Sequence, residues 1–198
     1  MALPQHYVEK DFYTEDEYLT WEDEVPFKSE YVRGDIRAMS GGSIDHSTLA
    51  VSIGAELRAA LRGRDCRVMS SDMKVRTPDN TFRYPDVSVV CGPPAFHGRS
   101  RSVITNPVVL VEVLTDSTAR TDREEKLREY QRLDSLQHYI LVSQHEARLE
   151  VYTRAENGHW DYHAVEGREA TLVLSHLGVT LALADLYDGI DFDAQGEG

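Results

Sequence analysis

The sequence predicts an α/β fold in which a mixed β-sheet core is flanked by helices. Two observations carry this prediction: the chain order of helix, three β-rich runs, helix and a further β-rich run, and the strongly apolar character of the central runs. A strand, a crossover helix and a second strand form a βαβ unit, whose strands are parallel. Because a meander of three β-rich runs precedes that helix, we expect a mixed sheet with helices packed against it.

The composition predicts one folded domain over residues 1–198. Hydrophobic residues make up 41% of the chain and charged residues 28%, which supplies enough apolar material for a core. No apolar run approaches the roughly eighteen residues that a membrane span requires. The first residues, MALPQHYVEKDFYTEDEY, lack the basic and then apolar pattern of a secretory signal. Cys66 and Cys91 are expected to be unpaired, buried side chains, which favours a reducing, cytoplasmic location.

The formal net charge of −13 disfavours long-range attraction to a polyanion. Nucleic-acid-binding proteins usually carry a basic footprint. Arginines cluster at 58–67 and 99–101, and such a local rim could still guide a phosphate backbone. Taken alone, each cluster is more typical of a solvated surface.

The amino-terminal third predicts two helices separated by a hairpin. Residues 12–24 have the pattern of a short acidic helix, with Thr14 as N-cap and Glu17 completing a capping box. Residues 29–33 and 35–39 flank Gly34 as a hairpin would. The loop SGGSIDHS then leads into a helix over roughly 45–62, whose apolar stripe recurs at spacings of three and four.

The remaining elements follow from apolar runs and turn signals. We expect β-strands at the following ranges: 66–76, 82–91, 107–114, 138–143 and 148–154. A helix over about 121–133 separates the third from the fourth, with Thr121 as N-cap and Glu124 completing a capping box. DYHAVEG is a candidate further strand, and residues 181–187 are a candidate short helix or edge strand.

Two acidic residues lie in surroundings where a carboxylate is costly. Glu112 interrupts PVVLVEVL, a run apolar enough for a central strand covered on both faces. Asp86 follows Pro85, which marks a strand start, a bulge or an edge, and precedes the core-like VSVVC. A buried carboxylate has to be protonated, paired with a cation or bound to a metal. Two such oxygens on neighbouring strands would suit Mg²⁺ or Mn²⁺.

Lys126 is the candidate cation for this site. The helix that carries it directly follows the Glu112 strand, so its first turns are expected near the end of that strand. Lys126 lies one turn before Tyr130, on the flank of the buried face, within reach of Glu112. From the residues alone, a metal site and a purely structural ion-pair cluster are equally compatible with this pattern.

Longer stretches resemble a known family. RYPDVSVVC, then NPVVLVEVLTDSTARTDREEKLREYQRLDSLQHYILV, together with SEYVRGDIRAMSGGSIDHS, resemble the Uma-two family of endonucleases within the PD-(D/E)XK nuclease superfamily. The resemblance covers roughly residues 28–153. It implies a restriction-endonuclease-like fold with α-β-β-β-α-β core order, in agreement with the element order above.

The resemblance also implies site residues. The acidic pair of the superfamily falls on Asp86 and Glu112, which become the expected metal ligands and catalytic residues. The superfamily places a lysine two residues after the glutamate, where this chain has Leu114. The catalytic lysine is therefore expected on the following helix, as Lys126.

Three weaker candidates come from neighbouring segments. Glu30 and His46 match positions of the amino-terminal block and are expected to support the site, although each has a structural interpretation as a solvated acid or a helix-start residue. Asp72, in SSDMKVR, could support the site from a neighbouring strand. Gln144 follows the strand at 138–143, and we assign it no role.

The function implied is Mg²⁺- or Mn²⁺-dependent hydrolysis of DNA, with a homodimer as one arrangement that nucleases of this fold use. Two alternatives stay open: a non-catalytic binding or assembly module on the same fold, and a metal-dependent hydrolase of smaller phosphate esters. The eight histidines show no zinc-binding spacing. No G-x-S-x-G elbow is present for a serine hydrolase.

Overall fold

The computed structural model describes residues 11–39, 41–98 and 101–192, and strands dominate these ranges. In chain order the strands are β1 Ser29–Val32, β2 Asp35–Ala38, β3 Cys66–Ser70, β4 Lys74–Thr77, β5 Thr81–Arg83, β6 Val87–Cys91, β7 Val103–Ile104, β8 Val109–Val113, β9 His138–Val142, β10 Arg148–Arg154, β11 Trp160–Glu166, β12 Thr171–Leu174 and β13 Val179–Ala182. The helices are α1 Glu15–Glu22, α2 Ile44–Ala60, α3 Ala119–Thr121, α4 Leu127–Tyr130 and α5 Leu183–Leu186. A π-helical turn, Asp122–Lys126, joins α3 to α4, and a 3₁₀ turn, Ser175–Leu177, precedes β13.

The largest sheet has six strands in the order β11-β10-β9-β8-β6-β3. The pairs β3–β6 and β6–β8 are antiparallel, whereas β8 and β9 are parallel across the α3–α4 segment. Strands β10 and β11 extend the sheet as antiparallel neighbours. The predicted mixed sheet and its α-β-β-β-α-β core order are confirmed in α2, β3, β6, β8, α3–α4 and β9.

A second sheet, in the order β2-β1-β5-β4-β7, was not predicted. It exists because two of the predicted strands are each divided by a turn. The run at 66–76 breaks after Ser70 into β3 and β4, and the run at 82–91 breaks at Tyr84–Asp86 into β5 and β6. Each divided run therefore contributes one strand to each sheet. Pro85, which cannot donate to a strand ladder, lies at the second break.

Helix α2 covers one face of the six-stranded sheet. Its predicted stripe is buried at Leu49, Ile53 and Leu57, in the same apolar cluster as Val89 and Val111 of the sheet. Burying each leucine side chain contributes about 2 kcal/mol. The other face packs against α4 and the segment after it. Strand β8 is therefore covered on both sides, as its apolar run predicted.

Helix ends agree with the sequence at α1 and differ at α3. The Thr14 and Glu17 capping box is present as predicted. The prediction that Thr121 caps the later helix is wrong, because that helix begins at Ala119 and the Thr121 side chain makes no capping bond. The helix then widens into the π-helical turn, a feature frequent at functional sites. Both end residues of this turn, Asp122 and Lys126, are buried.

The cysteine prediction is also wrong. Cys66 and Cys91 form a disulfide that joins β3 to β6. They are 25 residues apart in the chain, but the antiparallel register places them directly opposite each other.

At the carboxyl end, residues 181–187 form parts of both β13 and α5. None of the helices in the described ranges combines the length and apolar character that a membrane crossing requires.

Candidate functional site

A cleft of about 690 Å³ opens where the β1–β2 hairpin, the start of α2 and the π-helical turn meet the start of β6 and the end of β8 in the six-stranded sheet. Its lining contains six acidic side chains and three Lys or Arg side chains, and among them are Glu30, Asp86, Glu112, Asp122 and Lys126. All three residues of the predicted catalytic set are in this lining. The structure therefore brings Asp86, Glu112 and Lys126 together.

The two acids of the predicted pair are placed by neighbouring strands. In the antiparallel register Val87 of β6 lies opposite Val111 of β8, so the next positions along are Asp86 and Glu112. The backbone N–H of Val113 donates to Asp86 Oδ2 at 2.7 Å, which fixes the Asp86 carboxylate beside the end of β8. The Glu112 side chain is buried, with 3% of the residue exposed. Both carboxylates consequently reach one cleft.

Lys126 Nζ lies within reach of three carboxylates. It is 3.0 Å from Glu112 Oε1, 3.0 Å from Asp122 Oδ1 and 3.6 Å from Glu30 Oε1. Burial by itself lowers the pKa of a lysine, but these three carboxylates outweigh burial and raise the pKa of Lys126 above its ordinary value. Lys126 is therefore a cation throughout the physiological pH range.

The contact with Lys126 does not compensate for the burial of the Glu112 carboxylate. Burial raises the pKa of Glu112 well above its ordinary value, and Lys126 opposes the rise without cancelling it. Asp122, Asp86 and Glu30 raise that pKa further by repulsion. Tyr130 donates its hydroxyl to Glu112 Oε1 at 2.9 Å. The cleft lining as a whole carries six acidic side chains against three Lys or Arg side chains, so negative charge is in excess around Glu112.

Glu30 is oriented by Arg83, a residue that the sequence analysis did not single out. The fully buried Arg83 guanidinium donates to Glu30 Oε2 at 2.7 Å and to Glu129 Oε2 at 2.8 Å. Burial raises the pKa of Glu30, but Lys126 and Arg83 outweigh it and lower that pKa. The sequence held one signal that Arg83 is buried and needs acidic partners. It lies between two aromatic residues in a β-rich run, where neighbouring side chains are expected to be buried.

His46 contacts the Asp86 carboxylate at the start of α2. Ser43 caps this helix by accepting from the His46 N–H at 3.0 Å. The His46 ring places Nε2 at 3.2 Å from Asp86 Oδ2, and this hydrogen bond raises the pKa of His46 in spite of burial. A Cβ at Gly42 would lie 2.6 Å from His46 Nδ1, so the glycine leaves room for the ring.

The structure places Gln144 at the cleft and Asp72 away from it. Gln144, which was given no role, lines the cleft, accepts from Ser43 Oγ at 2.5 Å and donates to the Leu114 carbonyl at 2.6 Å. It thereby ties the cap of α2 to the end of β8. The prediction that Asp72 supports the site is wrong. Asp72 is exposed, pairs with Lys28 at 2.5 Å and is not part of the cleft lining.

The donor atoms fit a hard divalent cation. Among the described residues, no hydrogen-bond donor is bonded to Asp86 Oδ1 or Glu112 Oε2; the hydrogen bonds to these carboxylates reach Asp86 Oδ2 and Glu112 Oε1. The part of the chain that the structure describes holds no group of three or more His, Cys, Asp or Glu arranged as a metal-binding cluster. Mg²⁺ is commonly bound by one or two carboxylates, and water or substrate oxygens fill its other coordination positions. The excess negative charge around Lys126 favours such an ion.

Comparisons with known proteins identify the family and the fold of the chain. Residues 15–184 match the family Uma2, described as a putative restriction endonuclease family. The uncharacterized protein slr1290 of Synechocystis sp. is 37% identical over 182 residues, covering 89% of this chain and 92% of the relative. The uncharacterized protein sll1609 of the same organism is 30% identical over 164 residues, covering 82% of this chain and 93% of the relative.

One solved structure shares the fold. The crystal structure of a putative nuclease belonging to DUF820, from Anabaena variabilis ATCC 29413, superposes with a TM-score of 0.68 at 18% identity. The match covers 87% of this chain and 96% of that chain. This similarity, together with the mixed sheet described above, shows the restriction-endonuclease-like fold.

Proposed function

The chain belongs to the Uma2 family, and we propose that it is a metal-dependent endonuclease that hydrolyses DNA phosphodiester bonds in the cleft. One observation carries the proposal: three carboxylates from separate elements lie within 3.6 Å of the buried Lys126 ammonium group, and Asp86 lines the same open cleft. An ion-pair cluster that only stabilises the fold has no reason to hold excess negative charge beside solvent. The family description and the named nuclease neighbour support the same reaction class.

Asp86 and Glu112 are the proposed ligands of Mg²⁺ or Mn²⁺, through Asp86 Oδ1 and Glu112 Oε2, which accept no hydrogen bond from a described residue. The ion, when bound, supplies polarisation of the scissile phosphate and activation of a water nucleophile. Val113 and Tyr130 hold the two carboxylates in place by hydrogen bonds to their other oxygens. These contacts limit the rotation of both ligands and so pre-organise the site.

Lys126 contributes positive charge rather than a proton acceptor. Its raised pKa keeps it protonated, so it can donate hydrogen bonds to a water or to a phosphate oxygen but cannot remove a proton. In this role it offsets the negative charge that develops on the phosphorus-bound oxygens. Glu30 shares the lysine on one side, and His46 positions Asp86 on the other.

The acidity of the chain favours a second candidate, a hydrolase of smaller phosphate esters. The cleft is lined by six acidic side chains and three Lys or Arg side chains. That balance adds to the overall charge of −13 and opposes the approach of a long polyanion. The same proposed ligands and the same lysine would serve this reaction.

The test is nicking of supercoiled plasmid in the presence of Mg²⁺, with nucleotides and bis(4-nitrophenyl) phosphate as parallel substrates. We expect the wild type to nick the plasmid and Asp86→Ala or Glu112→Ala to lose this activity while keeping the native circular dichroism spectrum. Asp72→Ala, an exposed acid outside the cleft, is the matched control and should retain activity. Full activity in both cleft variants would refute the site, and hydrolysis of the small substrates alone would select the second candidate.

A further inference from the structure

A second groove, of about 900 Å³, continues from the cleft along helix α2. The two concavities share lining residues at the position of His46 and Asp86. A molecule with a phosphate at the proposed metal ligands would therefore meet the opening of this groove directly beside that phosphate. Nothing in the proposed chemistry uses the groove.

One wall of the groove is a single face of α2. Its side chains recur at spacings of three and four and are mostly small, with Ser47, Ala50 and Gly54 near the cleft and Arg58 at the far end. Strand β3 supplies the facing wall through the segment around Val68. Small side chains lower this wall, so an extended chain could approach the helix closely.

The groove reverses the charge of the cleft. Its lining contains one acid, Asp86, together with Lys28 and Arg58. Lys28 is already paired with Asp72, whereas Arg58 makes no ion pair with any described residue. In a chain of net charge −13, this groove repels a polyanion less than the cleft does, because its lining holds one acid beside two Lys or Arg side chains.

We infer that the groove binds the DNA strand that is cut, on one side of the scissile phosphate, with Arg58 as the contact to a distal backbone phosphate. The inference rests on the proposed function and adds the path of the substrate. Sugars lie over the small apolar wall of α2, and among the described residues no Phe, Tyr or Trp side chain lines the groove for base stacking. Binding here is consequently independent of base sequence.

The experiment measures binding of a short fluorescent single-stranded DNA of mixed sequence by anisotropy, with Ca²⁺ in place of Mg²⁺, over a series of salt concentrations. A lost phosphate contact lowers the slope of log affinity against log salt by about 1. We expect that decrease in Arg58→Gln. Arg62→Gln is the matched control, because Arg62 is exposed two residues beyond α2 and lies outside the groove lining.

A second pair of variants tests occupancy of the groove without changing charge. Ala55 lines the groove and Ala59 does not, and both are exposed on α2. Ala55→Trp should weaken DNA binding and plasmid nicking, whereas Ala59→Trp should leave both at the wild-type level. Hydrolysis of bis(4-nitrophenyl) phosphate, which needs only the cleft, should be unchanged in all four variants.

The outcomes separate this inference from the proposed function. Wild-type salt slopes in Arg58→Gln together with wild-type binding in Ala55→Trp would overturn the groove, even if nicking persists. A wild type that binds DNA through Arg58 but hydrolyses no phosphodiester would overturn the nuclease proposal and leave the groove standing.

Discussion

Replacing Glu112 by glutamine separates a metal site from a structural ion pair, because the two interpretations predict opposite changes in stability. The amide keeps the shape of the side chain and an oxygen that can accept from the Tyr130 hydroxyl, so the change removes little besides charge. Lys126 retains Glu30 and Asp122 as carboxylate neighbours after the substitution. The variant thus tests whether the charge of Glu112 stabilises the protein without metal.

The sign follows from the raised pKa of Glu112. A carboxyl group whose pKa is higher in the folded than in the unfolded chain binds more protons when folded. Stability therefore falls as the pH rises above the unfolded value of 4.5, by about 1.4 kcal/mol for each pH unit until the folded pKa is reached. Glu112→Gln removes this loss, so at neutral pH we expect the metal-free variant to have a higher unfolding free energy than the wild type and a weaker pH dependence.

The wild type should regain stability from the metal, and the variant should not. A ligand at about one hundred times its Kd stabilises the folded state by about 2.7 kcal/mol. In a chain of this size that raises the Tm by about 5–10 °C. Urea unfolding without metal and thermal unfolding with added Mn²⁺ measure the two effects in one preparation.

Glu150→Gln is the matched control. Glu150 is also buried, but among the described residues its ion pair is with Arg123, at 2.6 Å, and it lies outside the cleft lining. We expect this variant to lose stability and to keep the wild-type response to Mn²⁺. The reasoning is refuted if Glu112→Gln loses about 3–5 kcal/mol, as breaking a buried structural pair does, and the wild-type Tm does not respond to Mn²⁺.

Three further predictions concern single residues. Lys126→Met should lower the unfolding free energy by about 3–5 kcal/mol in urea unfolding without metal, because it leaves the buried carboxylates without their ammonium group. Added Mn²⁺ should restore part of this loss. A variant as stable as the wild type would contradict the role of Lys126. Gly42→Ala should displace the His46 ring and lower kcat/KM for plasmid nicking by about tenfold, while unchanged kinetics would show that the His46 contact with Asp86 is dispensable. Burial lowers the pKa of His138 from 6.5 to about 4, so the unfolded chain binds the proton first and up to about 3 kcal/mol of stability should disappear as the pH falls through that interval. A His138→Gln variant should lack this part of the pH dependence, and a pH profile of unfolding free energy identical to that of the wild type would contradict it.

The core of the fold was predictable because its signals are local. The apolar run around Glu112 and the stripe of α2 each depend on residues close together in the chain. The division of the β-rich runs between two sheets was not predictable in the same way. A turn such as Tyr84–Asp86 interrupts an apolar run by only a few residues, and the run itself carries no information on which sheet each half joins.

The site shows the same division between local and non-local signals. Asp86, Glu112 and Lys126 stand out because a charge in an apolar run requires a partner. Asp122 was missed although it lies one turn before Lys126, because an acidic helix start is common. Arg83 depends on carboxylates 46 and 53 residues away, and no local pattern indicates those contacts. The Cys66–Cys91 disulfide likewise follows from strand register alone.

The most direct measurement is anomalous scattering from a crystal of the wild type soaked in Mn²⁺. We predict a manganese peak coordinated by carboxylate oxygens of Asp86 and Glu112, with Lys126 beside it, and no such peak in Glu112→Gln. A fully soaked crystal with no manganese in the cleft, or with manganese bound equally in the variant, would contradict it.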